Sequence, residues 1–463
     1  MNYVSTRGGI APLSFCEAVM TGLARDGGLL LPQTIPDAAA RLGGWQRLCY
    51  TDLAFEIMRL FVDLTDADLR ALVAKSYAPF RHPEVTPVRA VGPVHILELF
   101  HGPTLAFKDV ALQWLGNLFE HVMRQRGGEL NILGATSGDT GSAAICGVRG
   151  RERMRIFVMH PHGRVSAVQE RQMTSVPDAN VHNLAVEGTF DDCQRIMKEI
   201  FNDLPFKDRY SLGSVNSINW ARVLAQIVYY FYGAFRVMER TGAGAVTFAV
   251  PTGNFGDIFA GYMACRMGLP VRRLLLATNE NDILSRFFNT GVYRVGAVMP
   301  TISPSMDIQV ASNFERYLYH LLGGDAARLR GLMAEFAARG RLAVPVAAGQ
   351  PVDALFTAGA GNTRETLDTI RRVYREHGYL LDPHTAVGVH VALKEMQSDE
   401  PVLCLATAHP AKFGQAIMDA IGADVARDPL IEALKDLPTR MDVVPADAGA
   451  VRAYMERRIG AAR

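Results

Sequence analysis

Residues 95–109 read HILELFHGPTLAFKD, an apolar run followed by a loop with glycine and proline and then by a lysine. The run His95–Phe100 predicts a buried strand, because loop residues follow it and it is short for a buried helix. Lys108 then opens a helical pattern. A charged lysine is unfavourable at the positive end of a helix dipole. The position therefore favours a neutral imine nitrogen or a lysine with a lowered pKa. A solvated lysine paired with Asp109 is the alternative.

The same succession of strand, loop and helix recurs along the chain. Short apolar runs predict six further buried strands, at Leu130–Ala135, Arg155–Met159, His182–Val186, Val246–Val250, Arg273–Ala277 and Val402–Ala406. Strands that alternate with helical patterns predict an α/β fold, with parallel sheets covered by helices on both faces. Ligands of such sheets bind beyond the carboxyl ends of the strands, where the polar motifs of this chain fall.

A second motif, LNILGATSGDTGSAA, occupies residues 130–144 and joins a strand to a helix through small and hydroxyl-bearing residues. The hydroxyls of Ser137 and Thr140, with backbone N–H groups at the helix start, suit an anion such as a substrate carboxylate. The alternative is a purely structural helix cap by Ser137 or Asp139.

A third motif, FAVPTGNFGDIFAG, occupies residues 248–261 and again follows a predicted strand. Gly253 and Gly256 allow the backbone to approach a phosphate closely. Neither a Walker sequence nor the glycine spacing of a dinucleotide fold is present. The motif therefore suits a small phosphate group better than a nucleotide.

A fourth motif, PVLCLATAHPAKF, occupies residues 401–413 and carries Thr407, His409 and Lys412 beyond an apolar strand. Thr407 offers a neutral hydrogen bond, and the two basic residues suit an anion. The alternative for His409 is a structural contact near Pro410. Two polar segments, 216–222 and 303–316, add amides, hydroxyls and an arginine each, although either arginine alone is more typical of a surface residue.

Composition limits the class of function. The chain has 463 residues, 49% apolar and 21% charged, with a net charge of +1. This balance indicates a globular protein of two or three domains, with small-molecule partners and neither nucleic acid nor membrane. The 6 scattered cysteines form no CxxC pair, which favours reduced thiols and no metal site. With no signal peptide or membrane span, the sequence predicts a cytoplasmic protein.

The first part of the chain reads as a separate unit. Helical patterns at Leu53–Val62 and Asp66–Tyr77 precede a proline-rich stretch, Pro79–Pro93, which suits a linker. The sequence thus predicts a small N-terminal domain at 1–85 and a larger domain at 86–463, whose smaller lobe spans roughly 128–235.

The order of these motifs resembles the threonine synthases, in particular their longer bacterial and fungal form. The resemblance covers essentially the whole chain, including YVSTRG at 3–8 and DGGLLLP at 26–32. It implies pyridoxal-phosphate (PLP) fold type II, with two parallel-sheet lobes covered by helices and a small, mostly helical N-terminal domain. The implied enzyme is a PLP-dependent lyase that converts O-phospho-L-homoserine and water to L-threonine and phosphate, the last step of threonine biosynthesis.

The resemblance also implies roles for individual residues. Lys108 would carry PLP as a Schiff base and act in catalysis, and Thr407 would hydrogen-bond the pyridine nitrogen. The cofactor phosphate would bind the amides of Gly253, Asn254, Phe255, Gly256 and Asp257. Relatives in the wider fold often have asparagine at the positions of Asp139 and Asp257, so Asp257 is expected to contribute only its N–H, with its carboxylate turned away.

The substrate needs two further sets of contacts. By the same comparison, Ser137, Asp139 and Thr140 lie along its amino-acid end. A phosphate needs cationic and polar partners, and the candidates for the substrate phosphate are Ser217, Asn219, Arg222, Asn313, Arg316 and Lys412. Two alternatives remain: a serine or threonine dehydratase of the same fold, and a non-catalytic relative that binds PLP. Monomer and homodimer are both open.

Overall fold

The computed structural model describes residues 1–347, 350–398 and 400–460. Fifteen strands lie in this part of the chain: β1 (Tyr3–Ser5), β2 (Leu30–Pro32), β3 (Val88–Val91), β4 (Val94–Glu98), β5 (Leu130–Ala135), β6 (Met154–Pro161), β7 (Val181–Glu187), β8 (Leu212–Gly213), β9 (Val246–Pro251), β10 (Val271–Thr278), β11 (Val292–Arg294), β12 (Arg341–Ala343), β13 (Phe356–Ala360), β14 (Val402–Ala406) and β15 (Asp442–Pro445).

The same described residues form nineteen α-helices: α1 (Phe15–Thr21), α2 (Leu42–Trp45), α3 (Tyr50–Met58), α4 (Asp66–Tyr77), α5 (Lys108–Arg126), α6 (Asp139–Val148), α7 (Ala167–Thr174), α8 (Phe190–Asn202), α9 (Leu204–Arg209), α10 (Trp220–Thr241), α11 (Gly256–Arg266), α12 (Ile283–Thr290), α13 (Phe314–Leu321), α14 (Ala326–Arg339), α15 (Thr363–His377), α16 (Pro383–Glu395), α17 (Gly414–Ile421), α18 (Pro429–Ala433) and α19 (Ala448–Gly460). No helix in these ranges has the length and apolar character needed to cross a membrane.

The chain divides into two compact units. The first contains residues 1–111 and 217–427, and the second contains residues 112–216 with the segment from Asp428 onward. The boundary lies within α5. Lys108, its first residue, belongs to the first unit, and the helix from Leu112 onward belongs to the second.

The first unit is built on a six-stranded sheet in the order β13-β10-β9-β14-β4-β3. All neighbours are parallel except β3, which is antiparallel to β4 at the edge. Strand β14 lies between β9 and β4, and all its residues are buried. Because the three strands are parallel, the loops that follow them leave from the same edge of the sheet.

Helices cover both faces of this sheet. On one face, Ile96 and Cys404 share a core with Ile370 of α15 and Val389 of α16. On the other face, a Cβ built at Gly233 of α10 would lie only 2.8 Å from Leu403. A larger residue at this position would push the Leu403 side chain aside, so the short distance shows that α10 crosses β14 closely and that helices cover the central strands on this face too.

The N-terminal residues of the first unit form the antiparallel pair β1–β2 and the helices α1–α4. The two predicted helices are present as α3 and α4, the second with the predicted bounds. The proline-rich stretch contains β3, a sheet edge, which is where a strand flanked by prolines is tolerated.

The second unit has a five-stranded, all-parallel sheet in the order β15-β7-β6-β5-β8. Leu133, Phe157 and Leu184 from this sheet pack with Ile196 of α8 and Val451 of α19. The loop after β5 leads directly into α6. The predicted α/β class with parallel sheets is confirmed, and the seven predicted strands correspond to β4, β5, β6, β7, β9, β10 and β14.

Candidate active site

Lys108 is the first residue of α5 and follows the loop that leaves β4. Its side chain is largely buried, and Nζ lies 3.4 Å from the Ser305 hydroxyl oxygen. Just before it, the Phe107 N–H donates to the Thr407 carbonyl at 2.8 Å. Ala106 and Ala408 form an isolated antiparallel bridge. The start of α5 is thus fixed to the chain beyond β14, and the amine is held at this sheet edge.

Asp109 shapes the loop that precedes Lys108. Its carboxylate accepts hydrogen bonds from the Thr104 N–H and hydroxyl, at 2.8 and 2.7 Å. Burial raises the pKa of Asp109 to about 6, although the bonds from Thr104 and the positive charge of Lys412 lower it. Lys412 itself is buried and donates to the Thr104 carbonyl at 2.8 Å. The predicted phosphate ligand Lys412 therefore braces the Lys108 loop.

The loop after β9 presents a group of free backbone donors. The N–H groups of residues 253–257 have no acceptor in the described part of the chain. Phe255 has a left-handed backbone, with φ of 64°, and its ring stacks on Phe288. A Cβ at Gly253 would lie 2.6 Å from the Ser305 carbonyl oxygen. Successive N–H groups around a left-handed residue at a helix start form a cradle for an anion.

The carboxylate of Asp257 is turned away from this cradle. It accepts hydrogen bonds from the Tyr229 and Tyr230 hydroxyls of α10, at 2.6 and 3.0 Å. Burial raises the pKa of Asp257 to about 7, although both tyrosine bonds lower it. A partly protonated carboxyl held by two hydroxyls repels a nearby phosphate less than a free carboxylate would. The carboxylate is thus held by α10, and the use of the Asp257 N–H by a ligand stays a prediction.

Thr407 follows β14 directly, between the Lys108 loop and the 253–257 loop in strand order. Its N–H donates to the Thr385 hydroxyl at 3.2 Å, and its carbonyl accepts from Phe107. The residue is 6% exposed, and its own hydroxyl has no hydrogen-bond partner among the described residues. A nearly buried hydroxyl without a partner is available to a ligand atom.

Two of the predicted phosphate ligands lie beside the 253–257 loop. Asn313 binds the Asn254 carbonyl through its backbone N–H at 3.0 Å and through its side-chain amide at 3.2 Å. The Ser217 hydroxyl lies 3.0 Å from that of Ser312, which donates to the Asn254 side chain at 3.2 Å. These contacts brace Asn254, the exposed residue of the loop.

The other three predicted phosphate ligands of this unit have internal partners or are deeply buried. Arg316 is fully buried, donates to the carbonyls of Leu30 and Ile218 and to the Asn313 side chain, and burial lowers its pKa to about 9. Asn219 caps α10 and donates to the Val19 carbonyl. Arg222 is buried, which lowers its pKa to about 10.

The second unit carries the predicted contacts to an amino acid. Thr136 accepts from the N–H groups of Gly138 and Gly141, which shapes the loop at the start of α6. Asp139 accepts from the Gln169 amide at 2.8 Å. Ser137 and Thr140 make no hydrogen bond to other described residues through their hydroxyls or N–H groups. Their donors are therefore free for a carboxylate.

Sequence reasoning missed three residues at the start of α16, namely Asp382, His384 and Thr385, and it included Ser305 only as part of the polar segment 303–316. The three residues at the start of α16 are buried, and Ser305 is partly buried. A signal was available in the order Asp-Pro-His-Thr, because aspartate before proline marks a helix start. Among the described residues, no cluster of three or more potential ligands is arranged to hold a metal ion.

Comparisons with known proteins agree with this arrangement. The family "Pyridoxal-phosphate dependent enzyme" matches residues 82–361, more than half of the chain. The chain therefore belongs to the pyridoxal-phosphate-dependent enzymes, and its fold is type II of that class. The family models "Threonine synthase N terminus" and "Threonine synthase, C-terminal" match residues 2–77 and 385–455.

Individual relatives define the family more closely. Threonine synthase of Pseudomonas aeruginosa is 47% identical over 465 residues, which cover 99% of this chain and 98% of the relative. The crystal structure of PLP-bound threonine synthase from Brucella melitensis has a TM-score of 0.94 at 46% identity, with 99% of each chain covered. The yeast threonine synthase structure has a TM-score of 0.93 at 42% identity, with the same coverage. The chain belongs to the threonine synthase family of PLP-dependent lyases.

Proposed function

We propose that this chain converts O-phospho-L-homoserine and water to L-threonine and inorganic phosphate, with PLP attached to Lys108. One observation carries the proposal: the Lys108 amine contacts Ser305, whose backbone carbonyl packs closely against Gly253, the first residue of the loop with unused N–H groups. An amine that can bind an aldehyde and a cradle that can bind its phosphate are thus joined by one residue. These are the two fixed points that PLP requires.

Besides the Lys108 amine, the described residues fit the cofactor at two places. The N–H groups of residues 253–257 would hold its phosphate, because they have no other acceptor. Thr407 would donate its free hydroxyl to the pyridine nitrogen. A neutral hydroxyl would supply no charge there, so it would favour an unprotonated nitrogen and discourage transamination. When bound, PLP withdraws electrons from the α-carbon of the substrate.

Lys108 is the proposed proton carrier. When it is not bonded to the cofactor, the Lys108 amine would accept and return protons at the substrate carbons. Ser305 keeps that amine at the sheet edge, and the bonds of Phe107 and Asp109 fix the loop from which it extends. Both restrict the amine to a small region, which favours proton transfer.

The substrate contacts remain a proposal in two parts. Ser137, Asp139 and Thr140 would bind its amino-acid end, supported by the unused donors of Ser137 and Thr140. Its phosphate would be bound from among the six residues predicted above. Ser217 and Asn313 are favoured by their place beside Asn254. Arg316 and Lys412 would act mainly by bracing, because their donors bind backbone carbonyls.

The boundaries of the domains and the location of the enzyme are also proposals. Residues 1–85 would form the N-terminal domain and residues 86–463 the catalytic domain, a division supported by the separate family matches. A cytoplasmic location is supported by the six cysteines, none of which forms a disulfide bond within the described residues.

The test is product analysis with the purified protein and added PLP. Incubation with O-phospho-L-homoserine should release phosphate and threonine in equal amounts. Incubation with L-serine or L-threonine should yield no 2-oxo acid. Formation of a 2-oxo acid from serine without phosphate release from O-phosphohomoserine would replace the proposal with a dehydratase.

A further inference from the structure

The carboxylate of Asp382 accepts hydrogen bonds from two residues, His384 and Thr385, that each contact another part of the site. It is the N-cap of α16, and its side chain is fully buried. One carboxylate oxygen accepts from the His384 N–H and from His384 Nδ1, both at 2.9 Å. The other accepts from the Thr385 N–H, at 3.3 Å, and from the Thr385 hydroxyl. A helix cap requires only the two N–H bonds, so the bonds to both side chains are additional.

Each of these two side chains also accepts a hydrogen bond from another segment of the site. His384 Nε2 accepts from the Ser305 N–H at 3.2 Å, and the Ser305 hydroxyl contacts the Lys108 amine. The Thr385 hydroxyl accepts from the Thr407 N–H, also at 3.2 Å. Asp382 is thereby connected to the amine on one side and to the proposed pyridine contact on the other.

The hydrogen bonds also define the state of the His384 ring. A carboxylate can only accept, so Nδ1 carries the proton. A backbone N–H can only donate, so Nε2 carries the lone pair. The ring edge packs against Phe413, with centroids 4.9 Å apart. With a proton on Nδ1 and a lone pair on Nε2, the His384 ring links the Asp382 carboxylate to the Ser305 N–H.

We propose that Asp382 is a positioning residue, which fixes Lys108 through His384 and Ser305 and fixes Thr407 through Thr385. The inference rests on the proposed attachment of PLP to Lys108. Its contribution is to hold the amine and the Thr407 hydroxyl at a set distance from each other. Loss of either link should lower kcat more than it raises KM, because the substrate contacts are elsewhere.

Two substitutions of His384 distinguish its hydrogen bond to Asp382 from its hydrogen bond to Ser305. His384→Asn keeps a donor near the Nδ1 position, and so keeps the bond to Asp382, but has no acceptor that reaches Ser305. His384→Gln keeps an acceptor near the Nε2 position. We expect His384→Asn to lower kcat about 10- to 100-fold, the loss that follows a misplacement of about 1 Å. His384→Gln should recover at least half of that loss on a logarithmic scale, with KM within threefold of the parent in both.

A second pair of substitutions tests the link from Asp382 through Thr385 to Thr407. The pair is read out by the PLP spectrum, which a folded protein gives even without turnover. Thr385→Val removes the hydroxyl that accepts from Thr407, whereas Thr385→Ser retains it. In the PLP-loaded protein without substrate, Thr385→Val should shift the visible absorption maximum, and Thr385→Ser should not. This spectrum does not depend on the identity of the substrate. If the parent protein binds PLP with the expected spectrum but does not turn over O-phosphohomoserine, the proposed function is wrong. The effect of the Thr385 substitutions on the spectrum would still test the positioning role of Asp382.

The control is another helix cap of the same unit. Asn362 caps α15, and its side chain accepts from the Glu365 N–H and makes no other hydrogen bond within the described part of the chain. Asn362→Ala should lower the melting temperature without changing spectrum or kcat. Asparagine and glutamine variants of His384 that both behave as the parent would overturn the proposal. It would also be overturned if both lost kcat equally and melted well below Asn362→Ala, since that result assigns the group to folding alone.

Discussion

The Ser305 hydroxyl lies 3.4 Å from the Lys108 amine, although 197 residues separate them in the chain. The backbone carbonyl oxygen of the same serine lies 2.6 Å from the point that a Cβ of Gly253 would occupy. Ser305 thus touches both the amine that is proposed to bind the cofactor aldehyde and the loop that is proposed to bind its phosphate. The separation of these two points is fixed by a single residue of a third segment.

Lys108→Ala removes the proposed attachment point. We expect phosphate release from O-phosphohomoserine to fall about 1,000-fold, within the range contributed by a positioned proton carrier. The visible absorption of PLP-loaded protein should revert to that of free PLP. Lys198→Ala, on an exposed part of α8, is the matched control and should leave both unchanged. Turnover retained in Lys108→Ala would remove the central residue of the mechanism.

Gly253→Ala tests the phosphate cradle. The new Cβ would lie 2.6 Å from the Ser305 carbonyl oxygen, so the loop must shift away from Ser305. We expect the dissociation constant for PLP, measured by absorption titration, to rise at least tenfold, equivalent to about 1.4 kcal/mol. Gly244→Ala is the control, because nothing lies within 4 Å of a Cβ there. Equal affinities of the two variants would contradict a phosphate site at this loop.

The places of the loops that carry Lys108, Gly253 and Thr407 were predictable because each loop follows an apolar strand. His95–Phe100, Val246–Val250 and Val402–Ala406 read as continuous buried runs, and parallel strands bring their carboxyl ends to one edge. The order of the strands was not predictable from these runs. The position of β14 between β9 and β4, which brings Thr407 between the two loops, depends on packing against α10 and α16.

The role of the buried arginine could not be predicted for a similar reason. Arg316 has the residue type that a phosphate needs, yet its donors bind the carbonyls of Leu30 and Ile218, 286 and 98 residues away. Sequence spacing does not report such distances. The contacts of His384 to Ser305 also span segments that are 79 residues apart, so a helix start was all that the sequence indicated.

Asp257→Asn should alter the pH dependence of stability. The pKa of the folded state is about 7, well above the ordinary value of 3.8. Between these two values the folded protein retains a proton that the unfolded chain has lost. The free energy of unfolding therefore decreases as pH rises from about 4 to about 7, by an amount on the order of a few kcal/mol.

Asparagine has no such titration and can still accept from Tyr229 and Tyr230. We expect the decrease between pH 4 and pH 7 to be smaller in Asp257→Asn, and the variant to be at least as stable as the parent at pH 8. Urea unfolding at a series of pH values, with constant PLP, gives both curves. Their difference removes the contribution of Asp109, which titrates in both proteins. Parallel curves would show that Asp257 is ionised throughout.

Lys412→Met distinguishes bracing from substrate binding. Lys412 donates to the Thr104 carbonyl, and its charge favours the ionised form of Asp109. We expect the free energy of unfolding to fall by about 2 kcal/mol, the scale of a lost hydrogen bond from a charged group. KM for O-phosphohomoserine should stay within threefold of the parent. A tenfold rise in KM without a loss of stability would instead make Lys412 a ligand of the substrate phosphate.

Thr140→Val tests the amino-acid contacts of the second unit. The Thr140 hydroxyl has no partner among the described residues, so its loss should leave the protein as stable as the parent. If it binds the substrate, KM should rise about tenfold, as expected for one lost hydrogen bond to a charged group. The dissociation constant for PLP should not change, because the cofactor contacts belong to the other unit.

Ser142→Ala is the matched control in the same helix. The Ser142 hydroxyl donates to the Asp139 carbonyl at 3.2 Å and is buried, so it has no role toward a ligand. We expect a small loss of stability in this variant and an unchanged KM. If Thr140→Val weakened PLP binding and left KM unchanged, the loop after β5 would belong to the cofactor site. If the two variants behaved alike, the free hydroxyl of Thr140 would have no function in catalysis, and the carboxylate of the substrate would have to be bound by other donors.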